Sequence, residues 1–167
     1  MRMITMKKIF YIFSLLLFLF VFFGCNKSTN NAESFEDYIA STDFTNVDYD
    51  SENDVYIVSI ELNDVISDEN AIQNFNDSVY DVIHSTVKPD KDVIFRAWDG
   101  NITASLIYFK KEKFEMLSDE VFDSKNTYIK ANGWQTISKF GQYQTLNDYS
   151  ESPTIEELLF NLSMVSR

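Results

Sequence analysis

The chain is poor in the residues that carry most side-chain chemistry and in those that form turns. Its 167 residues include one cysteine, two prolines, four glycines and one histidine. Because no cysteine follows Cys25, the rest of the chain has no disulfide, no thiol catalysis and no thiolate metal site. His84 is the single histidine, and it has no partner nearby in the sequence with which to form a catalytic triad or a zinc site. Four scattered glycines also form no glycine-rich phosphate loop.

Basic residues are absent from a long internal stretch of the chain. Between Ser28 and Val87 there are 14 acidic residues and no Lys or Arg, whereas Lys88 to Lys139 holds nine basic and eight acidic residues. Nucleic-acid binding needs clustered Lys and Arg to neutralise phosphates, so we expect no nucleic-acid partner. The negative stretch indicates either simple solubility near an anionic cell wall or a face that attracts a basic protein or divalent cations.

The N-terminus combines a basic stretch with an apolar one. Arg2, Lys7 and Lys8 precede the run Ile9–Phe23, which is apolar except for one serine. Fifteen residues make a helix of about 22 Å, which is shorter than the hydrocarbon core of about 30 Å. A basic stretch, an apolar stretch and a small residue, here Gly24, are the parts of a secretory signal.

The residues at the end of this run, Phe22-Phe23-Gly24-Cys25, resemble the lipobox of bacterial lipoproteins. In that motif a small residue immediately precedes the cysteine that becomes acylated. The resemblance covers the signal alone and rests on Gly24 and Cys25, while Phe22 stands where Leu, Val or Ile is usual. It implies a signal peptide over residues 1–24 and a lipid of the palmitate type on Cys25.

The same resemblance implies the arrangement and location of the rest of the chain. Residues 25–32 form a lipidated polar tether, and residues 33–167 form a single acidic domain. The lipid holds this domain to the bacterial cell membrane on its extracytoplasmic side. An uncleaved N-terminal anchor and an ordinary signal with a chance cysteine are the alternatives. Both also place the residues after 25 outside the cytoplasm.

Two segments have clear secondary-structure patterns. Val55–Leu62 is rich in β-branched and aromatic residues, which predicts a strand in the interior of a sheet. Ser67 followed by two acids predicts a helix N-cap, and apolar residues then recur every three or four positions. We therefore predict a helix over residues 68–87, with His84 near its end and Pro89 stopping it.

The dipeptide Asp99-Gly100 predicts a hairpin between Asp92–Trp98 and Asn101–Phe109. A two-residue turn there places Trp98 opposite Asn101, Arg96 opposite Thr103 and Ile94 opposite Ser105. One face is then uniformly apolar and is predicted to pack inward: Val93, Phe95, Ala97, Ile102, Ala104, Leu106 and Tyr108. The other face is mixed: Ile94, Arg96, Trp98, Thr103, Ser105 and Ile107.

The mixed face supplies the candidate binding surface, which consists of Arg96, Trp98, Thr103 and Ser105. Trp and Arg are common among binding hot spots because they combine contact area with directed hydrogen bonds. The alternative is that other elements cover this face and that Trp98 belongs to the core.

The remaining segments have weaker patterns. A short helix is predicted over Glu33–Ala40, and a last helix from Pro153 to about Met164. Between them, Ser118 is predicted to cap a helix whose apolar face holds Val121, Phe122, Tyr128 and Ile129. That helix ends at Asn132-Gly133, or it is shorter and these two residues turn a hairpin between Thr127–Ala131 and Trp134–Ile137. The order of elements predicts an α+β fold, with a mostly antiparallel sheet and helices packed on one face.

No motif in the chain indicates a catalytic residue, a cofactor or a metal site. Asp48, Asp50, Glu52 and Asp54 alternate as calcium-loop ligands do, but Asn53 and Ser59 stand where an EF-hand loop needs Gly and Glu. We therefore predict a solvated acidic loop there.

The expectation from the sequence is a cell-envelope lipoprotein that acts as a non-enzymatic binding module for a basic protein, in a protective or inhibitory role. The alternatives are an envelope enzyme or accessory acting on cell-wall polymers, and a structural component of an envelope complex.

The lipid on Cys25 is directly testable. We expect the processed protein to begin at Cys25, to incorporate labelled palmitate and to sediment with membranes. Cys25→Ser should lose the label, since no other thiol is present. A control that keeps the thiol but replaces the small residue before it (Gly24→Leu) should lose the label as well, because no small residue then precedes Cys25. Palmitate incorporation by Cys25→Ser would contradict the resemblance.

Overall fold

The computed structural model describes residues 34–62, 67–137 and 167. They form a five-stranded sheet whose strands are ordered as in the chain: β1 (Asn46–Asp50), β2 (Val55–Glu61), β3 (Asp92–Asp99), β4 (Ile102–Phe109) and β5 (Gly133–Thr136). The β2–β3 pair is parallel and the other three pairs are antiparallel. The prediction of an α+β domain with a mostly antiparallel sheet is confirmed.

Four α-helices accompany the sheet in the described residues: α1 (Phe35–Ile39), α2 (Asp68–Ile83), α3 (Lys111–Leu117) and α4 (Thr127–Lys130). A single 3₁₀ turn, Ser124–Asn126, precedes α4. All four helices contribute buried residues to one cluster with the sheet, so they pack on one face of it. The predicted helix near Glu33–Ala40 is confirmed as α1. No described helix is both long and apolar enough to cross a bilayer.

The long helix α2 links the two parallel strands, as a parallel pair requires a crossover connection. It begins as predicted, with the Ser67 hydroxyl accepting a hydrogen bond from the Asn70 N–H at 3.3 Å. It ends at Ile83 and not at residue 87. The ammonium group of Lys88 donates to the carbonyls of Ile83 (2.8 Å) and Ser85, and these bonds close the helix end before Pro89 is reached.

The main core lies between α2 and the sheet and is centred on Phe95. Its ring lies 5.4 Å from that of Phe44, 6.1 Å from that of Phe109 and 6.3 Å from that of Phe114, and it is fully buried. Aromatic pairs at these spacings add attraction beyond the area that they bury. A smaller cluster on the opposite face contains Val55, Ile94, Leu106 and Tyr108.

The predicted register of the β3–β4 hairpin is wrong. Trp98 lies opposite Thr103, Arg96 opposite Leu106 and Ile94 opposite Tyr108, with a bulge beside Ala97 and Trp98. The turn residues are Gly100 and Asn101, and Asp99 pairs with Ile102. Gly100 has a φ of +58°, as the first central residue of a type II′ turn requires.

The shifted register changes which β4 residues face the helices. Leu106 and Tyr108 belong to the smaller cluster on the far face, whereas Ile107 belongs to the main core. Ile102, predicted to pack inward, is 50% exposed. Between the pairs Trp98–Thr103 and Ala97–Ser105, Ala104 is an extra residue of β4. One extra residue moves the side chains that follow it to the opposite face of the strand.

The segment after β4 also differs from the prediction. The helix α3 precedes Ser118, which is its C-cap and not the N-cap of a later helix. Val121 is 91% exposed and Ile129 is 59% exposed, so neither lies on a buried helix face. Thr127–Ala131 is not a strand, since most of it is α4. The predicted strand at Trp134–Ile137 is present as β5, but it pairs with β4. The predicted helix from Pro153 lies outside the described residues.

Gly100 offers a direct test of the hairpin turn. No atom lies within 4 Å of a Cβ added there, so Gly100→Ala meets no steric clash. Its cost comes from the positive φ alone and should be about 1–2 kcal/mol of unfolding free energy. The control Asn101→Ala, at the other turn residue, should be close to neutral. Urea unfolding of the three proteins measures both values, and equal costs for both variants would contradict the observed turn.

Candidate functional site: an acidic cleft beside the long helix

The four residues of the predicted binding surface are buried. Arg96 is 8% exposed, Trp98 4%, and Thr103 and Ser105 are fully buried. Arg96 donates from Nε and Nη2 to the Ser59 hydroxyl at 3.1 and 2.9 Å. Burial lowers the pKa of the Arg96 guanidinium. The structure therefore leaves little of these side chains for a partner to contact, and their binding role stays a prediction.

Two cations pack against the same indole ring. The guanidinium carbon of Arg96 lies 4.3 Å from the centre of the Trp98 ring, and that of Arg167 lies 4.8 Å from it. Arg167 also binds Glu61 and the Gly100 carbonyl. Cation–π contacts of this kind are stronger where water is excluded. The ring and its cations therefore stabilise this end of the sheet.

A cleft of about 400 Å³ opens elsewhere, between α2 and the start of β1 and end of β2. Every one of its lining residues comes from the first half of the fold: Asp43, Thr45, Ile60, Glu61, Leu62, Ala71, Asn74, Phe75, Asp77, Ser78 and Asp81. The four charged ones, Asp43, Glu61, Asp77 and Asp81, are all acidic. We call this the acidic cleft.

The acidic cleft has an apolar wall and a charged rim. Phe75 and Ala71 are buried, whereas Asp43 and Asp81 are exposed. Asp77 and Asp81 lie one helical turn apart on α2 and are therefore neighbours. The Asp77 carboxylate accepts a hydrogen bond from Gln73 Nε2 at 2.8 Å, which fixes its orientation. A negative rim beside a low-dielectric wall concentrates the field at the opening.

A second hollow of about 380 Å³ shares Asp77 and Asp81 with the acidic cleft. Its other lining residues are Tyr80, Phe122 and Ser124, and we call it the aromatic hollow. The rings of Tyr80 and Phe122 meet edge to face at 5.0 Å. Two carboxylates on one helix thus separate a cleft with an apolar wall from a hollow with aromatic walls.

No described residue that lines the acidic cleft is basic. One lining residue, Glu61, pairs with a cation from outside the cleft: Arg167 Nη1 lies 2.6 Å from Glu61 Oε1. At the far side of the aromatic hollow, Lys130 pairs with Glu120 and lies 5.5 Å from the Phe122 ring centre. Among the described residues, Asp77 and Asp81 form no ion pair. The shortage of cations follows from the stretch Ser28–Val87, which has none.

The acids of the predicted acidic loop lie apart from the cleft, around the β1–β2 turn. Asp50 accepts hydrogen bonds from the backbone N–H and side-chain amide of Asn53. Asp54, which has a φ of +55°, accepts from the Tyr49 hydroxyl at 2.6 Å and from Lys91 at 2.9 Å. These two bonds lower the pKa of Asp54. Within the described residues, no group of three or more His, Cys, Asp or Glu side chains is arranged to hold a metal ion.

Comparison of the chain with protein-family models, with curated proteins and with solved structures found no match.

The sequence carried part of the signal for the acidic cleft. The absence of Lys and Arg over Ser28–Val87 was visible, as was the placement of Asp77 and Asp81 off the apolar stripe of α2. The convergence of Asp43 and Glu61 on that helix depends on the pairing of β1 with β2 and on the crossover. No local pattern contains that information.

Because Trp98 is buried, its replacement tests whether the indole belongs to the core or to a binding surface. Trp98→Ala should lower the free energy of unfolding by about 3 kcal/mol or more, as deletion of a buried ring does. The control Ile102→Ala, half exposed on the same hairpin, should cost less than about 1 kcal/mol. Denaturant unfolding measures both. A Trp98→Ala variant as stable as the control would place the indole on the surface.

Proposed function

We propose that this chain is a lipid-anchored, extracytoplasmic protein of the bacterial cell membrane that binds a basic partner protein, without catalysis, through the acidic cleft. One observation carries the proposal: four carboxylates and no described basic side chain line a single cleft. The lipobox-like residues Gly24-Cys25 support the location. A protective or inhibitory role toward an incoming basic protein fits both features.

Charge supports the proposal at long range. Arg2, Lys7 and Lys8 are three of the 14 basic residues, so the chain after residue 24 carries 11 basic and 26 acidic residues and a net charge of −15. Such a field raises the rate at which a basic protein meets the domain, and salt weakens it. An anionic bilayer repels a domain of this charge, so attachment to the membrane depends on the lipid.

Shape supports the proposal at short range. A volume of about 400 Å³ is within the range of sites that accept a side chain or a small group. The apolar wall at Phe75 and Ala71 can pack against the methylene stem of a Lys or Arg, while Asp77, Asp81 and Asp43 meet its charged end. The cleft therefore suits a basic side chain presented by a partner.

A second candidate function is an envelope enzyme acting on cell-wall polymers. It is favoured by the neighbouring carboxylates Asp77 and Asp81 in a cleft, because glycoside hydrolysis uses two carboxyl groups across the scissile bond. Hydrolysis of soluble wall fragments, abolished by Asp81→Asn, would establish this candidate in place of the binding function.

The binding function is tested with a defined cationic probe and matched charge changes. The full chain in mild detergent should bind a fluorescent hexalysine peptide, and raising the salt concentration should weaken the complex. Asp77→Asn with Asp81→Asn should weaken it at least about tenfold, since two carboxylates of one site are lost.

The control removes the same charge elsewhere. Asp48→Asn with Glu52→Gln, in and beside β1 and away from the cleft, should weaken hexalysine binding no more than about twofold. Equal losses in the two double variants would show that net charge alone attracts the probe and would contradict a site. Absence of hexalysine binding at low salt would contradict the basic-partner proposal altogether.

A further inference from the structure

The only histidine of the chain ties two distant segments together. His84 is the C-cap of α2, and its Nδ1 lies 2.8 Å from the Tyr80 carbonyl oxygen. Its Nε2 lies 2.9 Å from the carbonyl oxygen of Glu120, 36 residues further along the chain. The ring also stacks on Tyr80, with 3.9 Å between ring centres. One imidazole thus joins the end of α2 to the segment that follows α3.

Both contacts of the ring are to atoms that can only accept hydrogen bonds. A neutral imidazole carries one N–H and can donate to one carbonyl, and its other nitrogen then presents a lone pair to the second. An imidazolium donates to both. The end of α2 and the face of the Tyr80 ring also favour a positive charge. The observed geometry is therefore complete only when His84 carries two protons.

The ionisable groups near His84 either bind other atoms or are exposed, so the partners of its ring nitrogens are the two carbonyls. Lys88, in the loop after α2, binds the carbonyls of Ile83 and Ser85. The carboxylate of Glu120 pairs with Lys130 of α4, which lowers the pKa of Glu120 and keeps that carboxyl ionised. Asp81 on α2 and Asp119 beside Glu120 are both exposed. Among the described residues, the hydrogen bonds of the His84 ring run to the two carbonyls alone.

We propose that His84 is a pH-dependent latch that holds residues 118–123 against the end of α2. The latch is closed when the imidazole is protonated. It loses one of its two contacts when the ring gives up a proton, because a neutral imidazole donates only one hydrogen bond. Phe122, a wall of the aromatic hollow, lies in the latched segment, 5.5 Å from the His84 ring centre. The latch goes beyond the proposed binding function, and its test needs no ligand.

Hydrogen exchange at the Glu120 amide reports on the latch directly. This N–H donates to the Leu117 carbonyl at 3.0 Å, within the latched segment. In the full chain in mild detergent, its protection factor should fall about fivefold from pH about 5.5 to about 8, the effect of one typical hydrogen bond. Amides of β2, remote from the latch, should keep their protection factors over the same range.

Two variants locate the titrating group. His84→Gln should abolish the pH dependence at Glu120, because the amide side chain does not titrate. Glu120→Gln, which removes the Lys130 ion pair but keeps the carbonyl, should retain it. An unaltered chain with equal protection at both pH values would overturn the latch even if His84→Gln failed to fold. Retention of the pH dependence in His84→Gln would overturn it as well.

Discussion

The parallel pairing of β2 with β3 is the constraint on which the rest of the structure depends. Two parallel neighbours cannot be joined by a tight turn, so the chain must leave the end of one strand and return to the start of the next. The 16 residues of α2 make this return over one face of the sheet. The helix thereby buries Phe75 and Val79 in the main core and leaves its polar side along the edge of the fold.

The same crossover positions the acidic cleft. Its walls are the last residues of β2, the segment before β1, and one side of α2 that includes Ala71 and Phe75. All three come from the stretch without Lys or Arg, so the fold brings acids together without supplying cations to neutralise them. The basic residues enter the fold later, on β3 and around α3 and α4. Charge segregation along the sequence thus becomes charge segregation in space.

Local patterns predicted the elements whose signals are complete within a few residues. The N-cap at Ser67 and the apolar spacing of α2 are of this kind, as is the β-branched run of β2. The end of α2 was predicted too late because the side chain of Lys88 closes it, a contact that the apolar pattern does not encode. β1 was missed because its sequence, NVDYD, is polar, as an exposed edge strand can be.

In the hairpin, the turn was located near its true position, but side chains of β4 were predicted on the wrong face of the sheet. Gly100 was identified as a turn residue, but it stands first and not second in the turn, which moves the partner of Trp98 from Asn101 to Thr103. A shift of two residues keeps every side chain on its predicted face. The bulge, which makes Ala104 an extra residue of β4, is what places Leu106, Ile107 and Tyr108 on the faces opposite to those predicted. A dipeptide signal fixes where a hairpin turns more reliably than which side chains it buries.

The candidate binding surface and the acidic cleft differ in what the fold does with their charges. Arg96 is placed against Ser59 and Trp98, and little of its hydrogen-bonding capacity points outward. Asp77 and Asp81 are instead two like charges one helical turn apart, an arrangement that destabilises a helix by about 0.2–0.5 kcal/mol. A basic side chain bound between them would remove that repulsion as well as gain attraction. Under the proposed function, a cationic ligand would therefore interact more strongly with this cleft than with either carboxylate alone.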